Sequence, residues 1–199
     1  MPHIAAFGQA AFGKDVLSNY LKENLKNNFI WERASFADAV KRVFEESFGY
    51  DREFTEKWKR IPEPPEGLEL PVRQSLQLIG DGFRKIKKNI WIEIIFRNKE
   101  KNYIISDGRY LNESIHVKKN GGINILIYRK GFMNDDPNPS EAELKSKIQY
   151  FDANYEDGPI TDEYFDFFIR NDSTLENYYK KIDTILIPYI NKRFGDENQ

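Results

Sequence analysis

The chain has 199 residues, 40% of them hydrophobic and 31% charged, which suits one α/β domain with a sizeable core and argues against disorder. Its net charge of −2 and pI near 5.8 lack the basic surplus of a protein that grips nucleic acid. Without cysteine, and with only His3 and His116 as histidines, it excludes disulfides, thiolate metal sites and a histidine-based metal centre.

In chain order, Ile4 to Phe7 is a short apolar run leading into Gly8, as expected of a buried parallel strand. Val16, Leu17, Tyr20, Leu21 and Leu25 follow at helical spacing, predicting a helix from Lys14 to about Lys26. Phe29 to Ala34 reads as a second strand. Phe36, Ala37, Val40, Val43, Phe44 and Phe48 define a second amphipathic helix, which Gly49 is placed to stop.

Residues 50–71 are charged and contain Pro62, Pro64, Pro65 and Pro71, so a loop or mobile flap is expected. Val72 to Ile79 reads as helix. So does Asn89 to Arg97, where Ile90, Trp91, Ile94 and Ile95 share a helical face, and Lys85, Lys87 and Lys88 read as a solvated helix face.

Tyr103 to Ser106 is the third expected strand, with a helix from about Leu111 to Asn120 after it. Gly121-Gly122 breaks the chain before a fourth strand, Ile123 to Tyr128. Residues 131–160 are polar and punctuated, with a short helix expected from Ser140 to Tyr150. A fifth strand, Phe165 to Ile169, and a closing helix from Leu175 to Ile187, ending before Pro188, complete the reading. Strands alternating with helices argue for a parallel sheet covered on both faces. No segment approaches the ~20 apolar residues of a membrane span, and residues 2–7 are too short and lack the basic flank of a signal peptide. A soluble, intracellular chain is expected.

The strongest motif is Gly8-Gln9-Ala10-Ala11-Phe12-Gly13-Lys14-Asp15, which has the spacing G-x-x-x-x-G-K of a P-loop. Its glycines let backbone N–H groups close around phosphate oxygens, and the helix starting at Lys14 adds its positive end. Lys14 would reach the β- and γ-phosphates. Asp15 stands where a magnesium-binding Ser or Thr is usual; it either holds Mg²⁺, directly or through water, or caps the helix.

Ligands of such sheets lie beyond the carboxyl ends of the strands. There the third strand delivers Asp107-Gly108-Arg109, and the fourth ends at Arg129. Asp107 could bind Mg²⁺ through water or accept a proton, and Arg109 and Arg129 could neutralise phosphate charge. A turn with a surface ion pair is the alternative for the Asp-Gly-Arg segment. Arg73 and Gln77, four apart on one helix, could hold a monophosphate and a base edge.

Taken together, these segments resemble the phage-type deoxynucleoside monophosphate kinases, relatives of the phosphomevalonate kinases that share the Gly-Lys-Asp variant. The resemblance is carried by Gly8–Asp15, by Ala34–Lys41, by Val72–Gly80 with Trp91, by Ile104–Arg109 with Asn112-Glu113, and by Ile169–Leu175. It implies a P-loop kinase three-layer sandwich with a five-stranded parallel sheet. An inserted region for the nucleoside monophosphate (NMP) at about 36–98 and a lid at about 130–160 would both be mobile.

The resemblance further implies ATP with Mg²⁺. Gly8, Ala10, Ala11, Phe12, Gly13, Lys14, Asp15 and Val16 would surround the phosphates, and Asn171-Asp172 would lie near the base. Ser35, Lys41, Arg73, Gln77, Trp91 and Arg109 would serve a nucleoside or deoxynucleoside monophosphate. Catalysis would fall to Lys14, Asp107, Arg109 and Arg129, and the metal to Asp15 and Asp107. A cytoplasmic enzyme is implied (host cytoplasm for a phage-encoded chain), with no nucleic-acid or membrane partner. Such kinases are often dimers, so a homodimer is admitted, although no segment marks an interface.

Two departures stand out. Residues 131–165 hold no arginine and only Lys145 and Lys147, where lid arginines are usual, and Ser173 replaces the glycine expected after Asn-Asp. A P-loop kinase for another small phosphorylated acceptor, or an ATP-binding regulatory protein without catalysis, are the alternatives.

Overall fold

The computed structural model describes residues 1–132 and 139–195. In chain order its elements are β1 (His3–Phe7), α1 (Lys14–Asn24), β2 (Trp31–Ala34), α2 (Phe36–Phe48), α3 (Arg52–Trp58), α4 (Val72–Ile86), α5 (Ile90–Ile95) and β3 (Asn102–Gly108). These are followed by α6 (Leu111–Lys119), β4 (Ile123–Tyr128), α7 (Pro139–Asn154), β5 (Gly158–Pro159), β6 (Phe167–Arg170), α8 (Leu175–Lys181), a π-helical turn (Ile182–Leu186) and α9 (Ile187–Gly195). They form two compact units, one of Met1–Ala34 with residues 98–199 and one of Ser35–Arg97.

The first unit is built on a sheet ordered β2-β3-β1-β4-β6-β5. The five expected strands pair in parallel. The sheet has a sixth, however: β5 pairs antiparallel with β6 through Gly158–Phe168 and Pro159–Phe167. Two residues carry no alternation of apolar and polar side chains, so nothing in the sequence marks this edge. The arrangement is compatible with a P-loop kinase fold.

Both faces of the sheet are covered, as β6 shows directly. Phe167 meets the Tyr189 ring of α9 at 5.2 Å, whereas its neighbour Phe168 meets Phe151 of α7 at 6.1 Å. Successive side chains on a strand point to opposite faces, so α9 and α7 lie on opposite sides. Tyr20 of α1 stacks on Tyr179 of α8 at 4.2 Å, which groups α1 with α8 and α9. Asn124 of β4 reaches the Ser114 carbonyl of α6, on the side of Phe168 and α7. β1, buried at every residue, is the centre of the core.

Three sequence expectations shift. The closing helix does not stop before Pro188 but runs on to Gly195. Proline lacks an N–H and crowds the preceding turn; the widened π-helical turn at Ile182–Leu186 relieves that crowding and lets the helix continue. The segment 50–71 is not all loop, because Asp51 caps α3 by accepting from the Phe54 N–H at 2.7 Å. The prolines mask a second signal there, Tyr50, Phe54 and Trp58 at helical spacing, whose rings stack in sequence at 4.0 and 5.7 Å. Third, α4 runs on to Ile86, beyond the expected Ile79. Of the lid expected at about 130–160, residues 133–138 lie outside the described residues; the remainder includes α7 and β5.

The unit Ser35–Arg97 is helical, with α2 ended by Gly49 in the left-handed conformation (φ 74°). Trp91 of α5 is buried, and its indole N–H donates to the Gly80 carbonyl of α4 at 3.0 Å.

Candidate functional site: a glycine-bounded loop at the end of the central strand

Phe7, the last residue of β1, lies in register with Gly108 of β3 and Leu126 of β4. The loop of residues 8–13 therefore leaves the sheet at its carboxyl edge. Asp107-Gly108-Arg109 and Tyr128-Arg129 leave at the same edge, where a parallel sheet offers a crevice for ligands.

Close packing dictates the glycines of this loop. A Cβ on Gly8 (φ 155°) would stand 2.8 Å from the Ile127 carbonyl oxygen, and one on Gly13 (φ 95°) would collide with the Asn171 amide. Ala11 also has positive φ (63°), a conformation that costs a non-glycine residue about 1 kcal/mol. Phe12 is fully buried and meets the Tyr128 ring edge-on at 5.9 Å, so the loop is nailed to β4 by one side chain. The result is a tight turn, followed at once by the amino end of α1, with Gly13 as its N-cap and no side chain capping it.

Lys14 is largely buried, and its ammonium donates to the carbonyls of Gly8 (2.6 Å) and Gln9 (2.8 Å) of its own loop. Arg129 donates to the Ala11 carbonyl at 3.2 Å and lies over the Phe132 ring at 3.9 Å. Two cations thus border the loop, Lys14 from the start of α1 and Arg129 from just beyond β4.

Asn171, expected near the base of ATP, is turned into the loop. It is buried, its amide donates to the Phe12 carbonyl at 3.0 Å, and its backbone N–H donates to the Tyr128 carbonyl at 2.7 Å. Its neighbour Asp172 lies 3.5 Å from Lys181.

Asp15 does not cap α1. Its carboxylate is 75% exposed and pairs with Arg33 of β2. On the β3 side, a Cβ at Gly108 would lie 2.5–2.8 Å from three atoms of the Phe7 ring, which accounts for glycine between Asp107 and Arg109. The segment is no loose turn, because the buried Glu113 accepts from the backbone N–H groups of Arg109 (2.8 Å) and Tyr110 (3.0 Å).

Among the described residues no group of three or more His, Asp or Glu could hold a metal by protein ligands alone. Magnesium asks for less, one or two carboxylates with phosphate oxygens and water, and the exposed carboxylate of Asp15 is a donor of that kind.

In the unit Ser35–Arg97, Arg73 and Gln77 are exposed one turn apart on α4. Lys41 of α2 is committed to Glu56 (2.8 Å) and Asp38 (3.4 Å). Partial burial alone would raise the Glu56 carboxyl, but hydrogen bonds from Lys41 and Lys59 outweigh it and bring the group down to about 2. Ser35 is the N-cap of α2, and Trp91 belongs to this unit's core.

The sequence reading missed Arg33. Its signal was position alone, a basic residue next to last in β2.

No family model matches the chain. Over an alignment of 199 residues it is 28% identical to a protein of Acanthamoeba polyphaga mimivirus named "Putative deoxynucleotide monophosphate kinase", covering 90% of this chain and 93% of that protein. The similarity supports a kinase, and no finer assignment. Among the described residues no helix is long and apolar enough to cross a membrane.

Proposed function

We propose that the protein is an ATP-dependent nucleoside or deoxynucleoside monophosphate kinase of the phage type. The observation that carries this reading is the loop between β1 and α1: it has the G-x-x-x-x-G-K spacing, is closed to side chains at Gly8 and Gly13, and is bordered by Lys14. The mimivirus relative's name points to the same substrate class.

In this reading an oxygen of the acceptor's phosphate attacks the γ-phosphorus of ATP. The bond to the β–γ bridging oxygen breaks, and ADP leaves with that electron pair. The acceptor oxygen is already anionic, so no strong base is required of Asp107. Lys14 exchanges its loop carbonyls for phosphate oxygens, while Arg129 and Arg109 offset the charge spread over the transferring group. Gly8, Ala10, Ala11, Phe12, Gly13 and Val16 shape the cradle, and Asn171 holds its backbone. Asp15 and Asp107 would hold magnesium, which would supply charge neutralisation at the nucleotide phosphates. Arg73 and Gln77 take the acceptor's phosphate and base; Ser35, Lys41 and Trp91 support that unit.

ADP release from Mg-ATP, followed with each common NMP and dNMP in turn, tests the reading. Turnover dependent on one or a few of them is expected. ATP binding with no acceptor-dependent turnover would exclude this substrate class and leave another phosphorylated acceptor or a regulatory role.

A further inference from the structure

The guanidinium of Arg33 is engaged entirely within its own unit. Nη2 bonds Asp15 Oδ1 and, at 3.1 Å, the hydroxyl of Ser106 on β3; Nη1 donates to Asn19 Oδ1 at 2.9 Å. Asp15 and Asn19 stand one turn apart on the same face of α1. Register explains how one side chain spans all three partners. Arg33 pairs with Ile104 in the sheet, two residues before Ser106, and lies on the same face of β2 as the buried Trp31. A single nitrogen therefore ties the segment that carries Asp15 to the one that carries Asp107.

The Asp15 carboxylate has one oxygen held by Arg33, while Oδ2 makes no hydrogen bond among the described residues and the group is 75% exposed. Left alone beside a triphosphate, that carboxylate would repel it. Pinned through one oxygen by a cation, it is partly neutralised and keeps the other oxygen open in a fixed direction. Partners of this kind orient metal-binding carboxylates. The pair is too exposed to matter much for stability, since surface ion pairs contribute roughly 0–1 kcal/mol.

We propose that Arg33 is a positioning residue for Asp15 and that, through Asp15 alone, it sets how readily magnesium is taken up with a nucleotide. The inference rests on the nucleotide-binding reading above but not on the identity of the acceptor. Binding of a non-hydrolysable ATP analogue is followed by calorimetry while MgCl₂ is titrated, with melting temperatures recorded in parallel.

Arg33→Met should raise the magnesium concentration for half-maximal binding ~10-fold, the low end of what losing such a partner costs, with the melting temperature of the free protein nearly unchanged. Arg33→Lys should restore part of the loss. In an Asp15→Asn background, Arg33→Met should add nothing. An unchanged magnesium titration in Arg33→Met, or losses that multiply in the double variant, would overturn the inference while leaving the P-loop in place. Wild-type protein that binds no Mg-analogue would overturn the nucleotide reading itself.

Discussion

The amide of Asn171 donates to the carbonyl of Phe12 at 3.0 Å, so the end of β6 holds the glycine-bounded loop that follows β1. The two residues are 159 positions apart in the chain. Removing a buried donor leaves its carbonyl unpaired, at a cost of about 1–3 kcal/mol. Asn171→Ala should therefore lower the melting temperature and weaken ATP binding ~10-fold or more, by the same conversion of free energy to affinity. Asn171→Asp should be worse, because a carboxylate cannot donate to the carbonyl. Calorimetric ATP titration checks both, and wild-type affinity in Asn171→Ala would show that the loop holds its shape without this bond.

Two glycines of positive φ should respond differently to alanine. At Gly49 (φ 74°) a Cβ would meet nothing within 4 Å, so only the left-handed backbone is strained, at about 1 kcal/mol. At Gly13 (φ 95°) the same strain comes with a collision against Asn171. Denaturant unfolding should place Gly13→Ala clearly below Gly49→Ala. Only Gly13→Ala should also lose ATP binding.

Lys14→Ala should reduce turnover by ~10³-fold, the scale of losing one main charge-stabilising group. Steady-state assays at saturating ATP would show it, and a near-normal rate would remove the loop from the mechanism. Arg73→Ala should instead raise the acceptor's KM with kcat little changed, as loss of uniform binding does. An effect confined to the KM for ATP would argue that Arg73 does not bind the acceptor.

Acid should destabilise the protein through His3. Burial, with a smaller contribution from the N-terminal charge, lowers its pKa from 6.5 to about 4. The Tyr103 N–H donates to its Nδ1 at 3.4 Å, so the folded state holds the neutral ring. The unfolded chain binds a proton near pH 6.5 and the folded one does not until about pH 4. Stability is then full above pH 6.5 and falls as pH drops through that window, by about 2–3 kcal/mol. His3→Phe, which can keep the stack on Tyr103, should flatten urea-unfolding free energies between pH 6.5 and 4. Glu56 adds a weaker loss below pH 4.5, since its lowered pKa contributes stability only while it is ionised.

The sequence alone carried the parts of this protein that depend on neighbours in the chain. The G-x-x-x-x-G-K spacing, the apolar run before it and the helical periodicity after it are local, and β1, α1, α2 and β4 fall where those patterns put them. Gly49 ends α2 for an equally local reason, its tolerance of positive φ. The extension of α9 through Pro188 was illegible because the relief lies in a widened turn before it, which composition does not mark.

Tertiary structure alone decided the β5 edge, the turning of Asn171 into the loop, the burial of Trp91 and the clasp of Arg33 on Asp15, Asn19 and Ser106. Each joins residues from separate segments. A hydrogen bond or ion pair of that kind depends on which strand lies beside which, and the order β2-β3-β1-β4-β6-β5 is set by packing of the whole sheet rather than by any one segment.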